Sequence, residues 1–211
     1  MRSLLRLVVI LTLLLAPAWA AADPARVVVF GDSLTRGFGL PTGQGFVPAL
    51  SRWLVEEGAE VRLVNAGLSG DTTYGGRVRI GWALRDGADA VIVELGGNDM
   101  LLGMPPERTE KNLDAIITRA KAGGRPVLLL GIHPTGGAEA WRARWRAIWP
   151  RLAARHDILV VPDLYAGIRA IPAPRRRAYL QRDGIHASPR GVATMVELAG
   201  PKVLELLSRL R

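Results

Sequence analysis

The 211-residue chain has no cysteine. That excludes a disulfide framework, a thiolate metal site and a lipidated N-terminal cysteine. Histidine is scarce too: only His133, His156 and His186 are present, with no His-x-x-x-His spacing, so a metal centre is not expected. Lysine occurs only at Lys111, Lys121 and Lys202, so the net charge of +9 is carried almost wholly by arginine. Such a balance raises the question of nucleic acid or an anionic membrane. The one tight basic run is Arg175-Arg176-Arg177. It reads as a solvated loop, with phosphate headgroups as its alternative contact; nucleic acid is not expected as a partner. No repeat, low-complexity tract or linker-like composition shift interrupts the chain. With 49% hydrophobic and 22% charged residues, its length suits one domain with a sizeable core. No apolar run is long enough to span a bilayer, which takes roughly 20 residues.

The longest apolar run, 7–15, follows Arg2 and Arg6 and stops at Pro17. Ala18-Trp19-Ala20 places small residues where a signal peptidase reads. Residues 1–22 are therefore expected to be a signal peptide, cut after Ala20 or Ala22, and 23–211 the domain. Losing Arg2 and Arg6 takes the charge from +9 to +7 (9 − 2). The mature protein is expected in the periplasm or the medium.

Five short Val/Ile/Leu-rich runs, 27–30, 61–65, 90–95, 127–132 and 158–161, are nearly continuous rather than alternating. Strands buried on both faces read this way, which argues for a parallel sheet. Amphipathic stretches at 46–57, 74–85, 107–121 and 138–155 lie between them, and a last one runs from 190 to 207, with Gly200-Pro201 as a place for a bend. Strand–helix alternation predicts a three-layer α/β fold. In such folds ligands sit beyond the carboxyl ends of the strands.

The residues with chemistry fall in that position. Gly31-Asp32-Ser33-Leu34 follows the first run, placing Ser33 at a strand-to-helix corner. Gly67-Leu68-Ser69-Gly70-Asp71 follows the second, and has Asp71 where a Gly-x-Ser-x-Gly elbow needs glycine. Gly96-Gly97-Asn98-Asp99 follows the third, and His133 the fourth. Asp183-Gly184-Ile185-His186 puts a carboxylate and an imidazole within one turn. Ser33, His186 and Asp183 thus supply a nucleophile, a base and an orienter for the base. Ser33 alone reads as readily as a helix cap. Asp32 is expected to hold the turn. His156 reads as a cation complementing a helix end, and His133, without a nearby carboxylate in sequence, as a pocket wall. The N–H groups of Ser33 and Gly70 and the Asn98 amide are candidate oxyanion donors. Trp141, Trp145 and Trp149 recur every four residues and share one helix face, expected to pack on the sheet. Trp141, nearest the strand-end loops, is the expected exception and, with His133, a candidate substrate-binding residue.

These four blocks, Gly31-Asp32-Ser33-Leu34, Gly70, Gly97-Asn98-Asp99 and Asp183-Gly184-Ile185-His186, resemble in kind and order those of the SGNH, or GDSL, hydrolase family. The stretches 65–72 and 93–99 further resemble its thioesterase I, lysophospholipase and arylesterase subgroup. The resemblance implies a flavodoxin-like α/β/α fold with a five-stranded parallel sheet. It implies a cofactor-free, monomeric acyl hydrolase for small ester or thioester substrates, lysophospholipids included, with at most peripheral membrane contact. It assigns Ser33, Asp183 and His186 as the triad and Ser33, Gly70 and Asn98 as the oxyanion hole. The loops at 132–137 and 172–177 depart from the family pattern, leaving acyl preference open. A carbohydrate O-acetyl esterase of the same fold, or a non-catalytic lipid or glycan carrier, are the alternatives.

Overall fold

The computed structural model describes residues 23–210. The expected leader, 1–22, lies outside them. Five strands, β1 (Ala25–Gly31), β2 (Val61–Gly67), β3 (Ala90–Glu94), β4 (Val127–Leu130) and β5 (Leu159–Val161), form one parallel sheet in the order β2-β1-β3-β4-β5. The helices in chain order are α1 (Ser33–Arg36), α2 (Phe46–Glu56), α3 (Thr73–Ala83), α4 (Gly97–Leu101), α5 (Pro106–Ala120), α6 (Glu139–Arg146), α7 (Ile148–His156), α8 (Ala166–Ala170), α9 (Ala173–Arg176) and α10 (Pro189–Ser208). This is the α/β/α arrangement the sequence predicts.

Alternation along the strands divides the core. Val27, Val29, Ile92 and Leu128 face a layer built by Phe46, Leu50 and Leu54 of α2 and Met195, Ala199 and Val203 of α10. Val28, Phe30, Val93 and Leu129 face the other layer, with Leu113 and Ile116 of α5, Trp145 of α6 and Trp149 of α7. A side chain such as Leu50, fully buried, contributes about 1.5–3 kcal/mol by leaving water. Because both faces of the central strands β1, β3 and β4 are covered, they read as continuous apolar runs, whereas the edge strand β2 leaves Arg62 and Asn65 exposed.

Two expectations need adjusting. The stretch 138–155 is two helices, α6 and α7. Pro150 has no N–H to give the Arg146 carbonyl, so the ladder breaks there, while Pro150 itself sits in the first turn of α7, where proline is tolerated. The final helix, by contrast, runs unbroken through Pro201. Gly200 before it lies under Trp53, where a Cβ would meet the indole at 2.5 Å, so the glycine serves close packing of α10 on α2.

The strand order reverses between β1 and β3, since the chain passes from β1 to β2 on one side and returns to β3 on the other. A crevice opens at such a switch point, at the carboxyl ends of the strands. Ser33 follows β1 and Asn98 follows β3.

Candidate active site

Gly31 ends β1, and Asp32 caps α1 by accepting the Leu34 N–H on Oδ1 at 3.1 Å. The next residue in is Ser33. Its Oγ lies 2.8 Å from His186 Nε2, and His186 Nδ1 lies 2.6 Å from Asp183 Oδ2. The other Asp183 oxygen accepts the N–H groups of Ile185 at 2.9 Å and His186 at 3.0 Å, so the carboxylate shapes the turn as well as facing the ring. This loop is tied back to the nucleophile's side. Gln181 donates from Nε2 to the Phe38 carbonyl at 2.9 Å, and the Phe38 and His186 rings sit 5.0 Å apart. Residues 153 positions apart in sequence are thereby brought into hydrogen-bond contact.

Gly70 has φ +81°, a conformation that favours glycine, in the turn after β2. Asn98 Nδ2 donates to the Asp71 carbonyl at 2.8 Å and approaches Asp32 Oδ2 at 3.2 Å. Asp71 is itself clamped. Arg79 donates from Nε to Asp71 Oδ2 at 2.6 Å, and from its two terminal nitrogens to Ala66 O at 2.9 Å and Gly31 O at 2.8 Å. Its guanidinium lies 4.0 Å from the Phe30 ring centroid. On the far side, buried Asp99 accepts the Thr73 N–H at 2.8 Å and the Thr109 hydroxyl at 3.1 Å. The Gly70–Asp71 turn and Asn98 are thus braced from both flanks.

Beneath the corner lies a second acidic group that sequence reasoning missed. Glu94 is fully buried, and its Oε2 accepts the Thr35 hydroxyl at 2.8 Å. Burial, and then the Asp32 charge, push the Glu94 carboxyl well above its usual range. Burial likewise raises Asp32 to about 6, against the opposing hydrogen bond from Leu34 N–H. The signal for Glu94 was available: a carboxylate inside an otherwise apolar, doubly covered strand needs a partner. Arg79 gave no such signal, because a lone arginine on a helix reads as surface.

A cavity of about 790 Å³ opens onto Ser33, Asn98 and His186, and is otherwise walled by groups that include Met100, Leu101, Ile132, His133, Trp141 and Ile168. Trp145 and Trp149 are buried in the core, whereas Trp141 faces this cavity. His133 faces it too, with its Nδ1 3.5 Å from Asp163 Oδ2. Spacing did not reveal this carboxylate, which comes from the loop after β5. Burial, together with the charges of Arg169 and Arg146, pushes His133 down to about 4. His156 ends α7 and contacts Asp114 at 2.9 Å, away from the cavity. Ser69 is exposed and forms no side-chain hydrogen bond among the described residues. Among the described residues, no three His, Cys, Asp or Glu side chains gather into a metal-holding cluster.

Known proteins resemble this chain over most of its length. The family model for the GDSL-like lipase/acylhydrolase family matches residues 29–193. Esterase TesA of Pseudomonas aeruginosa is 36% identical over 199 residues, spanning 93% of this chain and 96% of that protein. Thioesterase 1/protease 1/lysophospholipase L1 of Escherichia coli K12 is 33% identical over 171 residues, 79% of this chain and 76% of that protein. A crystal structure of TesA matches with a TM-score of 0.79 at 34% identity, covering 86% of this chain and 99% of the other. The chain therefore belongs to the GDSL-like lipase/acylhydrolase family and is an ester-hydrolysing enzyme.

Proposed function

We propose that the protein is a serine esterase and thioesterase that works through an acyl-enzyme on Ser33. The observation that carries this reading is the unbroken line of contacts from Asp183 through His186 to Ser33 Oγ. Ser33 Oγ attacks the carbonyl carbon while His186 Nε2 takes its proton. Asp183 holds the proton on Nδ1 and offsets the imidazolium charge. Partial burial works to raise the Asp183 carboxyl, but the hydrogen bonds from His186 Nδ1 and from the Ile185 and His186 N–H groups outweigh it. Asp183 is therefore held below the usual range and ionised at neutral pH. The N–H groups of Ser33 and Gly70 and the Asn98 amide receive the oxyanion. One Asn98 hydrogen stays on the Asp71 carbonyl, and the other, held only by the longer contact to Asp32, is the one to turn inward. His186 then protonates the leaving alcohol or thiol. Water activated by the same imidazole releases the acid, and the scheme needs no cofactor.

The acyl group occupies the cavity, whose volume suits acyl esters, aryl esters, acyl thioesters and lysophospholipids. An acetyl group would leave most of it empty, which disfavours a carbohydrate deacetylase. His133 and Trp141 wall the acyl site. Export completes the reading: residues 1–22 act as a cleaved leader and the enzyme works as a monomer in the periplasm or medium. No helix among the described residues is long and apolar enough to cross a membrane.

Fluorophosphonate labelling tests the nucleophile. The unaltered protein should label at Ser33, and Ser33→Ala should fold, resist labelling and lose at least about 10³-fold in turnover. Labelling at Ser69 would falsify the assignment. A panel of p-nitrophenyl esters of rising chain length then tests the acyl site; a sharp preference for acetate would favour the deacetylase.

A further inference from the structure

The loops around the catalytic mouth expose apolar side chains. Phe38, Leu68, Leu101, Leu102 and Ile185 follow the carboxyl ends of β1, β2, β3 and β5, and each is about half exposed or more, up to 68% for Leu102. Leu101 and Ile185 line the cavity and Phe38 packs against His186, while Leu68 and Leu102 sit on the neighbouring loops of the same sheet edge. Exposed apolar groups gathered at a functional edge mark a surface that is covered in use.

The same edge is cationic. Arg36 ends α1, Arg175 and Arg177 lie in the segment between β5 and α10, Arg182 precedes Asp183, and Arg190 opens α10. All five are exposed, and none has a carboxylate partner among the described residues. The arginines of α6 and α7 contrast with them: Arg142, Arg144, Arg146, Arg151 and Arg155 are each paired with a glutamate or aspartate. Nor does the catalytic edge offer free carboxylates to offset the five. Glu107 and Glu139 are taken by arginines of α6, Asp163 by Arg169, and Asp183 by His186.

We propose that this edge is a docking face for an anionic phospholipid surface, with Ser33 and the cavity mouth turned toward the lipid. The apolar side chains reach the boundary between headgroup and acyl chain, and the arginines meet the phosphates. A soluble anion would satisfy the arginines and leave the leucines in water, whereas a lipid surface covers both. An amphiphile leaving that surface enters the cavity acyl chain first, without crossing water. This rests on the Ser33 assignment only for the direction in which the mouth faces.

The test uses the Ser33→Ala protein, so that no lipid is consumed. It should sediment with vesicles of equal parts phosphatidylglycerol and phosphatidylcholine at low salt, bind phosphatidylcholine vesicles at least tenfold more weakly, and be released by 0.5 M salt. Combining Arg175→Glu with Arg177→Glu should weaken vesicle binding by about tenfold or more. Leu102→Asp should weaken it as well. In the active enzyme these changes should leave hydrolysis of soluble p-nitrophenyl acetate within twofold and slow hydrolysis of lysophospholipid carried in the anionic vesicles. No sedimentation, binding indifferent to charge reversal or to Leu102→Asp, or capture by heparin without capture by vesicles would overturn the proposal. Full activity in Ser33→Ala would overturn the nucleophile assignment and leave the vesicle result standing.

Discussion

Arg79→Lys keeps the charge and most of the stem but removes the fork. The guanidinium reaches three acceptors at once, Asp71 Oδ2 at 2.6 Å, Ala66 O at 2.9 Å and Gly31 O at 2.8 Å. A compact ammonium at the end of a flexible stem holds Asp71 and gives up the two strand-end carbonyls. Hydrogen bonds to a charged group contribute about 1.5–3 kcal/mol each, and water entering the gap restores part, so the expected loss of stability is about 2–4 kcal/mol. The catalytic loss comes through Asp71, whose carbonyl holds Asn98 and whose turn carries Gly70. A displacement of such donors by about 1 Å costs on the order of 10²-fold in kcat, with little change in KM. Steady-state hydrolysis of a soluble ester, with urea unfolding run alongside, measures both. The decisive comparison is a cycle with Asn98→Ala. If Arg79 acts through the oxyanion donors, Arg79→Lys should cost clearly less once Asn98 has gone, the remainder running through Gly70. Losses that multiply, or a rise confined to KM, would refute the reasoning.

Three further outcomes are expected. Asn98→Ala should lower kcat by about 10²–10³ with a smaller effect on KM; a rise in KM alone would make Asn98 a binding or capping residue. Trp141→Ala should raise KM for long acyl chains and leave short esters unaffected, which a chain-length series checks directly. The third concerns pH and stability. Burial pushes His133 from the ordinary histidine value of 6.5 to about 4, so between those values the unfolded chain takes up a proton that the folded one refuses. Stability from this group is present above pH 6.5 and is lost as pH falls toward 4. Solvent reaching the ring reduces the full effect to about 1–2 kcal/mol. His133→Phe should remove this dependence, and a stability difference between the two proteins that stays constant from pH 7 to 4.5 would count against it.

The sheet was legible because five runs such as 90–95 are continuous, and only burial on both faces makes that tolerable. The short helices α1, α4, α8 and α9 escaped notice, since four or five residues hold less than two turns of periodicity. The break between α6 and α7 was written in Pro150, but three tryptophans at a spacing of four outweighed it. At the site, the residues that touch in the turn of Asp183 and His186 are close in sequence and could be read directly. Glu94 and Asp163 meet Thr35 and His133, 59 and 30 residues away, and Arg79 ties Asp71, eight residues off and outside its own helix, to the strand-end carbonyls of Ala66 and Gly31, so no local spacing carries their role.

The contact between Ser33 and His186 spans 153 residues, with the first strand at one end and the loop before the last helix at the other. A chain made from its N-terminus therefore carries its serine for most of its synthesis without the imidazole facing it. On the proposed assignment, hydrolytic competence needs the segment that holds His186, next to α10, which packs with α2 in one core layer. Turnover would then report a chain finished as far as its histidine loop, and a fragment ending before residue 183 should show none.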